Sequence, residues 1–422
     1  MTHIQWTDET WNPVVGCSIV SKGCTNCYAM KMAARLEAMH NAGQTGLAQY
    51  AGTTQPSKAG PVWTGKIGIA PDSVITKPLR TRRPTKWFVN SMSDLWHPDV
   101  PDALMDRVFA IAALTPQHIY QILTKRQDRM REYLTNPAFA GRIARVILDM
   151  VIADPKAMGG IVEDLMNSDR WPVVSIGDPE DPSDILLGQT TLPNVWLGVS
   201  VEDQATADER IPVLLNTPAA LRWISAEPLL GPIDLTRICL LPKVEGSIRA
   251  GIHIDALGGK YVESGLAYIG DWDVDGPCPV GAPALKLDWV VAGGENGPRP
   301  MHPSWPKALR DQCAGAGKPF FFKQWGSWKP ICEGPNDWSA RYYRSNRRAR
   351  AHQDQDNIDD VHGKTCTVPS TTLHNDGVTH GPADRCAYAA GKEGMLMFKI
   401  GKKAAGDLLD GVQHHNWPEV AT

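Results

Sequence analysis

Short apolar runs alternate along the chain with segments of helical periodicity. The apolar runs are typical of buried strands, which we predict at Pro13–Gly16, Lys86–Asn90, His118–Leu123, Asn194–Ser200, Leu221–Ser225, Leu287–Ala292 and Lys318–Lys323. Apolar residues recur at helical spacing between them and predict helices at Tyr28–Met39, Asp102–Leu114, Arg126–Leu134, Ala205–Leu215 and Pro306–Ala314. Ser304 is a candidate N-cap for the last helix.

Repeated strand–helix units predict a parallel sheet, because parallel strands need a crossover connection. The six or seven predicted strands fall short of the eight in a closed barrel. The predicted fold class is therefore α/β, a partial (β/α) TIM-like barrel with long insertions. The predicted organisation is a barrel over 1–332, with insertions at about 139–191 and 236–284, a polar insertion at 333–394, and a segment at 395–422 that returns to the core.

The composition excludes several protein classes. Hydrophobic residues make up 42% and charged residues 21% of the 422 residues, as in ordinary globular proteins, which excludes collagen-like, coiled-coil and fully disordered chains. No apolar run reaches the length of about 18 residues that indicates a membrane span, and the N-terminus lacks a secretory signal pattern. We therefore expect a cytoplasmic protein without a membrane partner.

The formal net charge of −3 means that any contact with nucleic acid must come from local patches. Two such patches, Lys77–Lys86 and Arg341–Arg350, each carry five basic residues, and the second includes two tyrosines. Arginines interleaved with aromatic rings suit phosphate contact and base stacking. The alternative is a solvated charged face, and the acidic run Asp354–Asp360 could neutralise the arginines within the protein.

Three of the nine cysteines lie within eleven residues. Cys17, Cys24 and Cys27 are separated by six and two residues. Three thiolates on one loop can hold three irons of a [4Fe–4S] cluster and leave the fourth iron open for a non-protein ligand. The same cysteines could bind zinc with His40 or His97 as a fourth ligand, or remain unligated thiols.

A second, looser group of potential metal ligands lies in the polar insertion. Its members are His362, Cys366, His374, His380 and Cys386. Their spacing matches no known ligand pattern, so a second metal site is only one possible interpretation.

Polar residues follow several of the predicted strands where each strand ends. They are Asp94, Lys125, Ser200, Glu202, Glu227, Glu295 and Lys323. The carboxyl ends of barrel strands meet at one mouth, where active sites are built. Lys125, Glu227 and Glu295 are the predicted catalytic residues, whereas the alternative for each is an N-cap or an ion pair.

These residues lie in phrases that point to a family. The phrases are TWNPVVGCS, CTNCYAM, FVNSMSDLWHPDVP, ILTKR, NVWLGVSVEDQ, ISAEPLLGPI, VVAGGENGPRPMHP, FFFKQWG and KIGKKAAGDLLDG. A three-cysteine loop before a partial barrel, with Tyr28 directly after the last cysteine, resembles the radical S-adenosylmethionine superfamily. The spacing of six and two departs from the usual three and two. The wider set is similar to phage- and prophage-associated three-Cys-motif proteins, distant relatives of spore photoproduct lyase.

The resemblance implies a [4Fe–4S] cluster, S-adenosyl-L-methionine and a 5′-deoxyadenosyl radical that abstracts hydrogen from a substrate. It implies that Tyr28 and Asp94 belong to the S-adenosyl-L-methionine site and that Asn90, Ser91 and Ser93 contact the methionyl amine. Ser200 and Glu202 would contact the carboxylate or ribose, and Gly293 and Gly294 would lie beside the adenine or sulfonium. A reductant such as flavodoxin or ferredoxin would supply the electron.

The predicted substrate is a nucleic acid or nucleobase derivative, as in phage-type DNA base modification or repair. The alternatives are a zinc-dependent non-radical enzyme that uses the same cysteines, and a nucleic-acid-binding module with a structural metal site.

Overall fold

The structure, a computed structural model, describes residues 4–419 except 169, 176–184, 242–251, 264–280, 282 and 335–336. Its contacts divide the chain into two units. Unit 1 comprises Met1–Val201, Asp208–Ser225 and Thr236–Trp289, and unit 2 comprises Glu202–Ala207, Ala226–Leu235 and Val290–Thr422. Among the described helices, none combines the length and the apolar character that a membrane crossing needs.

A sheet of seven strands is the framework of the fold. The strands are β1 (Glu9–Trp11), β2 (Lys86–Val89), β3 (Ile119–Thr124), β4 (Val195–Ser200), β5 (Leu221–Ala226), β6 (Trp289–Gly293) and β7 (Phe320–Gln324). They lie side by side in chain order, and the pairs with an assigned register run parallel. This arrangement confirms the predicted α/β class and the partial (β/α) barrel.

The predicted helices are present, with ends displaced by two residues or fewer. They are α1 (Tyr28–Asn41), α2 (Asp102–Leu114), α3 (Gln127–Leu134), α4 (Gln204–Leu215) and α5 (Ser304–Gly315). The predicted N-cap of α5 is wrong. Pro303 occupies the cap position, and the Ser304 hydroxyl lies 2.7 Å from His302 Nδ1 and donates to Asn375 Oδ1 at 2.8 Å.

The prediction of a first strand at Pro13–Gly16 is also wrong. The sheet begins at β1, and Val14–Val15 pairs antiparallel with Gly68–Ile69 instead. Pro13 has no amide hydrogen to donate to a neighbouring strand, so the chain leaves the central sheet before it. Val14 and Val15 therefore form a short strand outside the central sheet, directly before the cysteines.

The remaining elements of unit 1 lie in the segments of chain that connect the strands of the central sheet. They are the helices Asp72–Ile75, Lys77–Arg80, Phe139–Ala153 and Pro155–Asn167, the 3₁₀ turns Lys22–Cys24 and Ala48–Tyr50, the pairs Thr54–Ser57 with Gly60–Trp63 and Val173–Ser175 with Ile185–Leu187, and a three-stranded sheet of Ile238–Leu241, Ile252–Asp255 and Lys260–Glu263. The predicted insertions therefore contain secondary structure of their own.

Unit 2 adds a four-stranded antiparallel sheet in the order Trp328–Pro330, Met395–Lys399, Ser370–Leu373, Thr379–His380. Its other elements are the pairs Tyr343–Arg344 with Thr365–Cys366 and Leu408–Leu409 with Val412–Gln413, the 3₁₀ turn Ala340–Tyr342, and the helices Gln355–His362 and Lys402–Ala405. The polar segment 333–394 thus shares a sheet with the chain before and after it.

Tryptophan rings fill the centre of unit 1. Trp6, Trp223 and Trp289 are fully buried, with ring centroids 5.1 to 6.4 Å apart. Gly198 in β4 makes room for this arrangement, because a Cβ there would lie 2.5 Å from the indole of Trp223. Glycine at this strand position is therefore a packing requirement.

We predict that Gly198→Ala lowers the free energy of unfolding by about 1–3 kcal/mol, because the added methyl group overpacks a rigid aromatic core. Gly159→Ala is the control, since the Cβ would meet open space within the helix Pro155–Asn167. That control should raise stability by about 0.5–1 kcal/mol. Urea titration followed by circular dichroism measures both variants, and equal midpoints would contradict the packing argument.

Candidate functional site

The three clustered cysteines lie on a loop that ends at the first turn of α1. Gly16 opens the loop with φ +87°, and a Cβ there would lie 2.1 Å from the carbonyl oxygen of Lys66, so only glycine fits. Cys27 occupies the N-cap position of α1. The hydroxyl of Tyr28, the next residue, donates to the carbonyl oxygen of Ser91 at 2.9 Å.

The segment that follows β2 holds the base of this loop. Asn90 has φ +58°, and its Oδ1 accepts a hydrogen bond from the amide of Val14 at 3.3 Å. Ser93 Oγ donates to the carbonyl oxygen of Val14 at 2.8 Å, and Ser91 Oγ donates to Asn12 Oδ1 at 3.1 Å. These hydrogen bonds give Asn90, Ser91 and Ser93 a structural role that the sequence analysis did not anticipate.

Asp94 connects the end of β2 to the end of β3. Its buried carboxylate accepts from Thr124 Oγ1 at 2.8 and 2.9 Å and from the amides of Trp96 and Lys125 at 3.1 and 3.2 Å. Arg126 Nη1 donates to Asp94 Oδ2 at 3.0 Å. A carboxylate with this many donors is held in one orientation.

Arg126 links Asp94 to the cysteine loop, because its guanidinium contacts both. Its Nη1 lies 3.7 Å from Cys17 Sγ, and its Nη2 donates to the carbonyl oxygen and hydroxyl of Ser18 at 3.2 and 2.7 Å. His97 Nε2 lies 2.9 Å from the same Ser18 hydroxyl. The sequence analysis missed Arg126, although it directly follows Lys125 in the phrase ILTKR.

Lys125 faces the cysteines from the end of β3. Its Nζ donates to Ser200 Oγ at 2.8 Å, and Arg210 donates to the carbonyl oxygen of Ser200 at 2.7 Å. Burial lowers the pKa of the Lys125 ammonium to about 8, with Cys24 opposing the shift and Arg210 adding to it. Lys125 thus lies in a partly desolvated site beside a thiol.

The three thiols differ in acidity. Burial, with Asp94 adding to it, raises the pKa of Cys17 to about 12, and burial also raises the pKa of Cys27. Burial acts in the same direction on Cys24, but Lys125 and the backbone of Val20 and Ser21 outweigh it and bring the pKa of Cys24 below its usual value. Cys24 is therefore the thiol best prepared to ionise.

The donors around the loop suit a metal–thiolate group. Arg126 lies beside Cys17 and Lys125 beside Cys24, and backbone groups of Ala29 in the first turn of α1 bond the Cys27 sulfur. Positive charge and helix N-terminal amides stabilise anionic sulfur. Across the described ranges, no three His, Cys, Asp or Glu side chains are arranged so that they could hold one metal ion. The groups around the loop therefore suit thiolate ligands, but the described side chains are not arranged so that three of them could bind one metal ion.

Of the two histidines considered as a fourth zinc ligand, His40 and His97, His97 is engaged otherwise. Both ring nitrogens of His97 have hydrogen-bonding partners, Ser18 Oγ at 2.9 Å and the amide of Asp99 at 3.3 Å. In the looser group, His374 Nε2 lies 3.1 Å from the carbonyl oxygen of Ala387. The eight cysteines in the described part of the chain are free thiols, and Cys278 lies outside the described residues.

In unit 2, Glu227 at the end of β5 forms an ion pair with Lys323 of β7. Lys323 Nζ lies 2.8 Å from both carboxylate oxygens, and Gln324 Nε2 donates to Glu227 Oε1 at 3.3 Å. A Cβ on Gly293 would lie 3.5 Å from the carboxylate carbon of Glu227, an ordinary contact. Glu227 and Lys323 thus form an ion pair next to Gly293.

The other polar strand ends of unit 2 have partners of their own. The buried Glu295 accepts from Arg299 Nε at 2.7 Å and also from Arg299 Nη2. A Cβ on Gly294 would lie 2.1 Å from the carbonyl oxygen of Trp325, so this glycine allows two backbone segments to approach. Glu202 is buried, and its carbonyl oxygen accepts from the amide of Leu230 at 2.7 Å.

The predicted site residues therefore fall into two groups. Unit 1 contains Cys17, Cys24, Cys27, Tyr28, Asn90, Ser91, Ser93, Asp94, Lys125 and Ser200, and unit 2 contains Glu202, Glu227, Gly293, Gly294 and Glu295. In the first group, hydrogen bonds connect Cys17, Asp94, Lys125 and Ser200 by way of Arg126, and a second set holds Tyr28, Asn90, Ser91 and Ser93 against each other and the segment 12–14. In the second, Glu227 and Glu295 each form an ion pair with a neighbouring cation.

The basic run Lys77–Lys86 is only partly engaged within the protein. Lys77 lies 2.6 Å from Glu9 Oε2 and 4.9 Å from the centre of the Trp87 ring. Arg82 and Arg83 are exposed, and neither forms an ion pair with any described residue.

The acidic run after Arg341–Arg350 neutralises one of the five arginines. Arg344 forms ion pairs with Asp356 at 2.7 Å and Asp359 at 3.0 Å. Arg341 lies 5.0 Å from the ring centre of Tyr342. The exposed Arg347, Arg348 and Arg350 form no side-chain ion pair with the residues that the structure describes. The rival interpretation, internal neutralisation, therefore holds for Arg344 alone.

A family model with the description "Protein of unknown function (DUF5131)" matches residues 1–418. The chain belongs to the DUF5131 family. No curated protein and no solved structure matches it. The DUF5131 match includes the cysteine loop, the strand ends and both basic runs, so these features lie inside the family's domain. Because the family description carries no activity, the function must be argued from the site.

We predict that Cys24 of the metal-free DUF5131 chain reacts with iodoacetamide faster at pH 7 than Cys17 or Cys27. The thiolate is the reactive form, and only Cys24 has a thiol pKa below the usual value. Lys125→Met should raise the Cys24 pKa and slow the reaction, whereas Lys58→Met at an exposed hairpin should not. Mass spectrometry of each alkylated cysteine measures the rates. Equal rates at the three cysteines would contradict the assigned acidities.

Proposed function

We propose that this protein is a radical S-adenosylmethionine enzyme that holds a [4Fe–4S] cluster through Cys17, Cys24 and Cys27 and acts on a nucleic acid or nucleobase derivative. When bound and reduced, the cluster would supply one electron for the cleavage of S-adenosyl-L-methionine into methionine and a 5′-deoxyadenosyl radical. The observation that carries the proposal is the environment of the three thiols: Arg126 lies 3.7 Å from the Cys17 sulfur, the Lys125 ammonium acts electrostatically on Cys24, and backbone groups at the start of α1 bond the Cys27 sulfur.

The network around Asp94 supports this proposal because it fixes the cationic groups before any ligand binds. Asp94 holds the Arg126 guanidinium against Cys17 and Ser18, while Ser200 holds the Lys125 ammonium near Cys24. Such preorganised positive charge stabilises thiolates that bind metal. Arg126 and Lys125 act as positioning residues in this scheme.

The Lys125 ammonium has a second property that matters for a bound S-adenosyl-L-methionine. Its pKa of about 8 keeps most of the population charged near neutral pH, while a proton can leave at low cost. We assign to Lys125 the electrostatic contact with an anionic ligand group beside Ser200.

Free arginines support the nucleic-acid part of the proposal. Arg347, Arg348 and Arg350 are exposed and unpaired among the described residues, and an aromatic pair, Trp338 and Tyr342, lies beside Arg341. Unpaired arginines next to rings suit phosphate and base contact. We also propose a cytoplasmic location, because a reducing compartment keeps thiols available to bind a cluster.

We expect anaerobically purified and reconstituted protein to contain about four iron and four sulfide per chain. Cys17→Ala, Cys24→Ala and Cys27→Ala should each abolish the brown absorbance, whereas Cys386→Ala at an exposed position should retain it. Metal analysis and release of 5′-deoxyadenosine from S-adenosyl-L-methionine are the measurements. One equivalent of zinc with no iron would instead support the zinc alternative.

For nucleic acid, the double variant Arg347→Ala/Arg348→Ala should bind single-stranded DNA more weakly, because each phosphate contact releases a counterion. The slope of log affinity against log salt should become shallower by about 1–2. Arg385→Ala, an exposed arginine elsewhere in unit 2, is the control and should leave the slope unchanged. Fluorescence anisotropy at several salt concentrations measures it. Affinity that ignores both salt and these arginines would point to a small-molecule or protein substrate.

A further inference from the structure

The cysteine loop and the start of α1 present apolar side chains to solvent. Ile19 and Val20 in the loop are 48% and 46% exposed, and Tyr28 and Met32 in α1 are 51% and 43% exposed. The opposite side of α1 is buried in a core cluster that includes Ala33. Large exposed apolar residues grouped around one loop are typical of an interaction surface.

Basic residues occur in the same segment as these apolar side chains. Lys31 and Arg35 are exposed on the same side of α1 as Tyr28 and Met32, because positions 28, 31, 32 and 35 repeat at helical spacing. Lys22 is exposed within the loop. The segment from residue 17 to residue 36 contains these basic residues and no Asp or Glu.

This placement of charge is unfavourable for the helix itself. Lys31 and Arg35 are like charges four residues apart, and neither has an ion-pair partner among the described residues. Lys31 also lies in the first turn of α1, where the helix dipole favours anions and where no acidic residue is present. The next carboxylate along the chain, Glu37, accepts hydrogen bonds from the amide of Gly52 and the hydroxyl of Thr54.

We infer that this surface of unit 1, formed by Ile19, Val20, Lys22, Tyr28, Lys31, Met32 and Arg35, is the docking site for an acidic electron-carrier protein. The inference rests on the proposed function, because only a redox group at the cysteines requires a carrier. The charges fit an acidic partner, and exposed Met, Tyr and Arg side chains are typical of protein interfaces. The surface lies on the loop that carries Cys24 and Cys27, so a docked carrier is brought close to their sulfurs.

A protein partner fits these residues better than a nucleic acid does. Three of the four large apolar side chains, Ile19, Val20 and Met32, are not aromatic, and the hydroxyl of the single ring, Tyr28, is bonded to Ser91, whereas strand-binding surfaces place several aromatic rings along a basic groove. Electron-transfer complexes are small and transient, and their association is guided by charge. The surface should therefore bind weakly, quickly and in a manner that depends strongly on salt.

The experiment titrates the full chain, without added metal, with an acidic flavodoxin and measures the dissociation constant by fluorescence anisotropy. Lys31→Glu should weaken binding at least threefold at low ionic strength, and the difference should shrink at about 0.5 M salt because screening removes it. Met32→Ala should weaken binding at both salt concentrations. Lys156→Glu and Met166→Ala are matched controls at exposed helical positions and should bind as the unchanged chain does.

A second measurement separates this inference from the proposed function. With reconstituted protein, 5′-deoxyadenosine release driven by dithionite should be equal in the unchanged chain and Lys31→Glu, whereas release driven by reduced flavodoxin should be slower in Lys31→Glu. Dithionite-driven release together with unchanged flavodoxin binding in Lys31→Glu would overturn the docking site and leave the proposed function intact. Loss of single-stranded DNA binding in Lys31→Glu, without loss of flavodoxin binding, would also overturn it. Absence of iron would defeat the proposed function alone, since flavodoxin binding is measured without metal.

Discussion

A single buried carboxylate organises the region around the three cysteines. Asp94 receives hydrogen bonds from the hydroxyl of Thr124, from two backbone amides and from the guanidinium of Arg126. A buried charge of this kind is tolerated only while its partners stay in place, because an unpaired carboxylate would be expensive to desolvate. The orientation of Arg126, and through it the positions of Ser18 and Cys17, therefore depends on Asp94.

The fold was largely predictable because its strands are buried on both sides. The centres of the predicted strands, such as residues 87–89 and 195–199, are continuously apolar, and the structure places β2 and β4 there. The start of the sheet was not predictable from apolar character alone. Val14 and Val15 are as apolar as the residues of the central strands, but Pro13 prevents them from continuing the sheet. The edge strand of the sheet is instead β1 (Glu9–Trp11), which has three residues and is more polar.

The site was predictable where residue type decides the chemistry, and not where contacts decide it. The placement of Cys17, Cys24 and Cys27 on one loop could be predicted from their spacing alone. The opposite acidity of Cys17 and Cys24 follows from which neighbours surround each thiol, and a sequence does not reveal these neighbours. Glu295 is a predicted catalytic residue at a strand end, and the structure adds its ion pair with Arg299, four residues away, which residue type alone does not reveal. Arg126 was overlooked because its role lies in contacts with a loop more than a hundred residues earlier in the chain.

The tryptophans at the centre of unit 1 have an optical consequence. Trp6, Trp196, Trp223 and Trp289 are buried, with neighbouring rings near enough for excitation energy to pass between them. Light absorbed by any of them is therefore shared, so their emission should be strongly depolarised and should lie at the short wavelengths typical of an apolar environment. Loss of the sheet would separate the rings and reverse both properties. The molecule thus carries its own spectroscopic indicator of whether β4, β5 and β6 are packed together.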